Sequence, residues 1–183
     1  MRLSIVVEGR EDEELINAVV SSVLVPGSFR IVCARGKSHA ISMAGTMLTV
    51  EEEPVVLAID ADTSNPGLLA EQRSDLSALL NRAAHPGHWR VVFFVPEIES
   101  VLVYDDAVVR RLFGRSLDEV ERALRDVAPK KSLARLTEST GTSWHQIVQQ
   151  IAKDTEIASL LAKAPGMSEI VQFAEQVVPN AAE

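Results

Sequence analysis

A single cysteine, Cys33, stands among 183 residues, so no internal disulfide can form and a reducing cytoplasm is the expected compartment. No apolar run approaches the ~20 residues needed to span a membrane, and the opening Met1-Arg2-Leu3-Ser4-Ile5 runs straight into a strand pattern with no signal-peptide character. A membrane is therefore not among the expected partners. Paired Cys/His spacing is missing, and the four histidines (His39, His85, His88 and His145) do not cluster, which argues against zinc. No Gly-x-Ser-x-Gly elbow exists. Gly36-Lys37-Ser38 looks like the tail of a phosphate-binding loop, but the leading glycine is lacking because position 31 is Ile. It reads instead as a basic loop opening a helix at Ser38, still able to touch nucleic-acid phosphate. Positive charge is also short: 18 basic against 26 acidic side chains give a formal charge of −8. That argues against a generic basic DNA-coating protein. It leaves room for an enzyme whose acids hold metal ions that in turn face phosphate.

What is present is an ordinary globular composition, 46% hydrophobic and 24% charged. The length suits one domain, or one domain with a small helical appendage, and a chain of this size buries roughly 70% of its unfolded surface. Four apolar, β-rich runs, at residues 3–7, 29–33, 55–59 and 91–95, lack strict polar alternation, as strands buried on both faces do. They recur with room for a crossover helix between each pair. Helical faces can be read at 11–24, 38–50 and 68–84, the first with acids crowding its opening turn. The order β-α-β-α-β-α-β predicts an α/β fold: an open, mostly parallel four-stranded sheet with helices on both faces. Residues 97–178 read as helices only, at 98–105, 106–113, 116–127, 133–139, 144–152, 154–162 and 168–178. Ser116 with Glu119 forms an expected capping box and Ser168 an expected N-cap. The domain reading is an α/β core over 1–105 and a helical C-terminal extension over 106–183, packed on that core, with the last residues, 179–183, expected to fray.

In an open α/β sheet, ligands bind beyond the carboxyl ends of the strands. Three of the four predicted strands end in acids: Glu8-Gly9-Arg10-Glu11-Asp12 after the first, Asp60-Ala61-Asp62 after the third, and Pro96-Glu97-Ile98-Glu99 after the fourth. Parallel strands would bring Glu8, Asp12, Asp60, Asp62, Glu97 and Glu99 to one edge. Asp60 and Asp62 flank one residue, so in extended chain both point the same way, and Gly9 would let the chain turn tightly from strand into helix. Carboxylates so crowded raise one another's pKa values, and divalent cations relieve the repulsion. An all-oxygen donor set suits Mg²⁺ or Mn²⁺, and two such ions can stabilise both the attacking and the leaving oxygen of a phosphodiester. The blander reading is that each acid merely caps the next helix, with Asp62 capping the turn before Pro66-Gly67 and Glu11 to Glu14 forming a solvated first turn.

The segments Ile5-Val6-Val7-Glu8-Gly9-Arg10-Glu11-Asp12 and Val55-Val56-Leu57-Ala58-Ile59-Asp60-Ala61-Asp62 resemble the glutamate and Asp-x-Asp motifs of the Toprim domain. That domain is shared by topoisomerases, bacterial primases, a small ribosomal RNA maturase and the OLD-family nucleases. The resemblance covers about residues 1–105. Ser64 stands where topoisomerases and primases usually carry a third aspartate. Asp12, four places after the glutamate, and Pro96-Glu97-Ile98-Glu99 followed by a helix look more like the OLD nucleases. The chain holds no ATPase domain, so it is most similar to stand-alone OLD-like Toprim nucleases encoded beside a separate ATPase in phage-defence systems. The resemblance implies a Toprim-like (Rossmann-like) core and metal-dependent endonuclease cleavage of nucleic acid, DNA in preference to RNA. It also implies a separate ATPase as partner. Glu8, Asp12, Asp60, Asp62 and one of Glu97 or Glu99 would bind the metal, one ion activating water and the other neutralising the leaving oxygen. Lys130 or Lys131, placed by position alone, would stabilise charge on the scissile phosphate.

Two other readings stand beside this one: a non-catalytic Toprim-like module that binds a partner protein through a structural or regulatory metal site, and a small phosphohydrolase. Trp89 and Trp144 are expected to pack rather than stack on bases, and Cys33 to lie in the core. Arg110, Arg111, Arg115, Arg122 and Arg125, interleaved with acids, are expected to form a solvated face.

Overall fold

The computed structural model describes residues 2–178, so the tail expected to fray, 179–183, lies outside the described residues. Four strands, β1 (Leu3–Val7), β2 (Phe29–Cys33), β3 (Val55–Asp60) and β4 (Trp89–Phe94), form one sheet in the order β2-β1-β3-β4. Every pairing is parallel, with Ile5 level with Ile31 and Val56, and Ala58 level with Val92. The expected α/β class and parallel sheet are therefore present. Three helices cross between strands: α1 (Arg10–Val20), α2 (Lys37–Thr46), which runs on into a π-helical turn over Met47–Glu51, and α3 (Pro66–Leu80).

The burial of the strands explains their composition. β1 and β3 are central, and their apolar residues from Leu3 to Ile59 are almost wholly inaccessible. β2 is an edge strand, half-exposed along its length. Cys33 is accordingly only partly covered, not a core residue as its apolar run suggested. After β4 come seven further helices: α4 (Ser100–Val103), α5 (Asp106–Phe113), α6 (Glu119–Arg125), α7 (Pro129–Thr140), α8 (Trp144–Lys153), α9 (Thr155–Leu161) and α10 (Met167–Val177). All but α6, which lies against α7, pack on the α1 side of the sheet and share one apolar cluster with Leu15, Ile16, Val19 and the inward residues of β1, β3 and β4. The α2 and α3 side holds a smaller cluster around Leu57, Ile59, Ala40 and Leu80.

Two caps differ from expectation. Asp118, not Ser116, caps α6: its Oδ1 accepts the Glu121 N–H at 2.7 Å while Glu121 Oε2 accepts the Asp118 N–H at 2.8 Å. Gly166, at φ +81°, precedes α10, and Ser168 lies inside it. In both cases a residue two places away satisfies the same orphan donors or turns the chain more sharply.

The chain order places the functional edge. β1 connects through α1 to β2 on one side; β2 returns through α2 to β3 on the other side of β1. The two crossovers diverge at the carboxyl ends of β1 and β3, the crevice where open α/β sheets take their ligands.

Candidate metal centre

Glu8 follows the last residue of β1 and Asp60 is the last residue of β3, so both stand at that crevice. They meet directly: Glu8 Oε1 accepts the Asp60 backbone N–H at 3.0 Å. Asp60 in turn accepts the Ile98 N–H on Oδ1 at 2.8 Å, which ties the loop after β4 to the end of β3. Asp12 sits in the first turn of α1, and its Oδ2 accepts the Gly9 N–H at 2.8 Å, a reciprocal cap on that helix. Gly9 itself is extended, at φ −128°. A Cβ there would only touch Asp12 at 3.5 Å, so the tight turn expected to need glycine does not exist. Glu99, 6% exposed, completes the group, and Lys130 Nζ from α7 stands 3.1 Å from its Oε1.

Electrostatics shows that these acids feel one another. Burial pushes the Asp60 carboxyl up from 3.8 to about 7, with the charge of Asp12 next in weight and those of Glu99 and Glu8 adding to it. Asp12 is raised by burial first, with Glu99 adding to the shift and the bond from Gly9 opposing it. Glu8 is raised by burial, against the Asp60 N–H bond and the Lys37 ammonium. Lys130 is raised chiefly by its hydrogen bond to Glu99. Four carboxylates from three strand ends thus share one desolvated crevice.

The remaining expected residues go elsewhere. Asp62 leaves the strand in the left-handed region, φ 56°, and its carboxylate turns out to Lys37, with Oδ2 2.7 Å from Nζ. Asp60 and Asp62 therefore diverge, because the chain stops being extended between them. Asp62 caps nothing: α3 is capped by Asn65, whose Oδ1 accepts the Gly67 and Leu68 N–H groups. Glu97 accepts the Lys130 backbone N–H at 2.9 Å and so caps α7, leaving Glu99 as the acid that faces the cluster. Lys131 is exposed and makes no ion pair among the described residues.

Against known proteins the chain has no match: no family model, no curated protein and no solved structure.

Lys37, in the basic Gly36-Lys37-Ser38 loop, binds protein groups rather than standing free for phosphate. Its ammonium donates to the Asp60 carbonyl at 2.6 Å as well as to Asp62. Lys37 opens α2 in the loop after β2, and the basic Gly36-Lys37-Ser38 segment thus reaches the carboxylates at the neighbouring strand ends. Of the arginines, Arg111, Arg115 and Arg125 pair with Glu156, Glu121 and Asp106 and leave little free positive face. Trp144 packs and donates its indole N–H to Glu14 at 3.0 Å. His85 and His88 lie in the turn between α3 and β4.

As a metal site the crevice fits in kind, because its donors are all hard oxygens and outnumber the nearby cations. It does not yet fit in spacing: among the described residues no three His, Cys, Asp or Glu side chains stand close enough together to hold one ion. Three of the carboxylates are aimed at backbone N–H groups instead, and each retains a second oxygen.

Proposed function

We propose that the chain is a metal-dependent nuclease that cleaves phosphodiester bonds of nucleic acid, DNA in preference to RNA, at the crevice between β1 and β3. The observation that carries the reading is the meeting of Glu8, Asp12, Asp60 and Glu99 from three strand ends, in a setting that lifts Asp60 to about 7. The resemblance of the Glu8 and Asp60 segments to the Toprim motifs, and of the whole to stand-alone OLD-like nucleases with a separate ATPase, points the same way. Mg²⁺ or Mn²⁺ would be held by Glu8, Asp12, Asp60 and Glu99 through the oxygens not engaged by backbone, which requires these side chains to draw closer together than they stand without the ion. Such an ion supplies charge neutralisation and polarisation of the phosphate. The chain's own groups do the rest. Lys130, its side chain 67% exposed, can turn from Glu99 towards an incoming phosphate and stabilise charge that develops there. Lys37 holds Asp62 and the end of β3 in place. The hydrogen bonds from Asp60 N–H to Glu8 and from Ile98 N–H to Asp60 fix two acids on rigid strand ends, as preorganisation requires.

A second reading, a non-catalytic module, is favoured by one observation: Glu8, Asp12, Asp60 and Glu97 each already serve a backbone N–H, as structural acids do. The two separate in one assay. Purified protein is incubated with plasmid, single-stranded DNA and RNA in Mg²⁺, Mn²⁺ or EDTA, beside Asp60→Ala and Glu8→Ala. Metal-dependent cutting that both substitutions abolish is the expected result. Cutting that survives both would be contamination, and no cutting of any substrate would leave the module.

A further inference from the structure

The two edges of the sheet are finished differently. On the α1-side face below β4 lies α10: Arg90 stacks over Phe173, and Gly166 approaches the Phe94 ring so closely that a Cβ there would meet it at 2.7 Å. β2 has no such cover, and of the devices that usually blunt an edge it keeps two, its shortness and one inward-turned charge. It contains no proline and no lysine. Its one charge, Arg30, is turned in to Ser4 Oγ at 2.8 Å and to Glu51 and Glu53.

The hydrogen-bond parity shows what the edge offers. Leu3 N–H donates to Ser28 and Ala34 N–H to Val7, so the even-numbered residues of this segment bond to β1. The odd-numbered ones, Phe29, Ile31 and Cys33, turn their N–H and C=O groups outward. The Phe29 carbonyl is taken by Arg2 Nε at 3.3 Å, whereas the outward groups of Ile31 and Cys33 have no partner among the described residues.

Beside this edge runs a groove between β2 and α1 in two halves, about 860 Å³ and about 430 Å³, and Ile31 and Asn17 line both. One half ends near Cys33 and Glu13, the other near Phe29 and Arg2. Neither Arg2 nor Glu13 has an ion-pair partner among the described residues, whereas Arg10 in the same groove is taken by Glu14.

We propose that two copies of this chain associate by pairing β2 with β2 in antiparallel fashion about a two-fold axis at Ile31. Such an axis exchanges Phe29 with Cys33, and therefore brings Arg2 of each copy, turning from its own Phe29 carbonyl, to the end of the other's groove where the unpaired Glu13 stands beside the Arg10–Glu14 pair and Arg35. The surface is self-complementary in hydrogen bonding, as an isologous interface must be, and Arg2 against Glu13 adds one opposite-charge contact at each end. The outward groups of Ile31 pair with their own counterparts and those of Cys33 with Phe29 of the other copy, whose carbonyl Arg2 yields to the new ladder, and an eight-stranded sheet results. The two carboxylate crevices then point to opposite ends of the assembly, so the pairing is independent of what they do.

Sedimentation equilibrium or light scattering of the full chain is expected to give twice the 19.9 kDa chain mass. In hydrogen exchange, the amides of Ile31 and Cys33 are expected to be protected in the dimer and to lose that protection on dilution. Arg2→Glu and Glu13→Arg, both in exposed or half-exposed positions, are each expected to weaken dimerisation at least about ten-fold, the scale of an opposed charge pair at an interface. The double exchange is expected to restore it. Far-UV circular dichroism establishes that each variant is folded. A monomer at all concentrations, freely exchanging Ile31 and Cys33 amides, or a dimer indifferent to both charge reversals would overturn the proposal.

Discussion

Two neighbouring glutamates and two neighbouring lysines carry different loads, and single substitutions separate them. Glu97 accepts a backbone N–H at the start of α7, so Glu97→Ala removes a helix cap and is expected to cost about 0.5–2 kcal/mol of stability. Metal affinity should stay within about two-fold, since Glu97 is turned away from the crevice. Glu99→Gln keeps the shape but removes a carboxylate from the cluster, and on the proposed function it should weaken Mn²⁺ binding roughly ten-fold by calorimetry, with little loss of thermal stability. The reverse pattern would mean that Glu99, not Glu97, is the structural acid. Lys130 ends beside Glu99 and Lys131 points to solvent. Lys130→Met should therefore slow cleavage by roughly 10²-fold, and Lys131→Met by less than about two-fold, in single-turnover assays. At this scale the sequence supplied the candidates but not the choice. Glu97 and Glu99 differ by which way a loop turns after Pro96, and Lys130 and Lys131 by a helical rotation of about 100° per residue; both are set by packing far from those residues.

The elements themselves were far more legible. Each of the four apolar runs became a strand, and each helical stretch after β4 overlaps a helix, because continuous apolar runs and a 3.6-residue period both act over many residues at once. Element ends were less so. α1 stops at Val20 rather than continuing to residue 24, and α6 starts after Asp118 rather than at Ser116, since several residues nearby could satisfy the same terminal N–H groups. Gly166 shows how strict such an end can be. It combines φ +81° with a Cβ path that ends 2.7 Å from Phe94 Cδ1 and Cε1, both ring atoms of a side chain only 2% exposed. Gly166→Ala must bear both left-handed backbone strain and overpacking, together about 2–4 kcal/mol. For a chain of this size that lowers Tm by roughly 5–15 °C. Gly114→Ala, in the milder αL region at φ 70° and ψ 3° and with open space around its Cβ, should lose less, and the difference between the two variants measures the Phe94 contact together with the harsher Gly166 backbone at ψ −55°.

Across the whole molecule, the meeting of Glu8 with Asp60 follows from topology more than from any local signal. With strand order β2-β1-β3-β4 the two residues end adjacent strands at the point where the crossovers part, and a sequence that alternates strand and helix in this way has few other parallel arrangements. The consequence for stability is measurable. The folded chain holds a proton on Asp60 up to about pH 7, whereas the unfolded chain releases it near 3.8. Between those values the folded state binds more protons than the unfolded state, so stability falls as pH rises and levels off above about 7. Glu8 and Asp12, raised in the same direction by burial, steepen the fall. Asp60→Asn, which can still accept the Ile98 N–H, should flatten the profile and at pH 8 gain on the order of 1 kcal/mol, about 2–4 °C in Tm. A divalent ion bound to these carboxylates has the opposite pH dependence, because protons compete with it. Millimolar Mg²⁺ or Mn²⁺ should therefore raise Tm strongly at pH 8 and scarcely at pH 5.5, and should do neither in Asp60→Asn. Thermal melts over pH 5–8, with and without the ion, read both effects. A Tm that rises with pH in the metal-free protein would mean that Asp60 is not held in this crowded, desolvated setting.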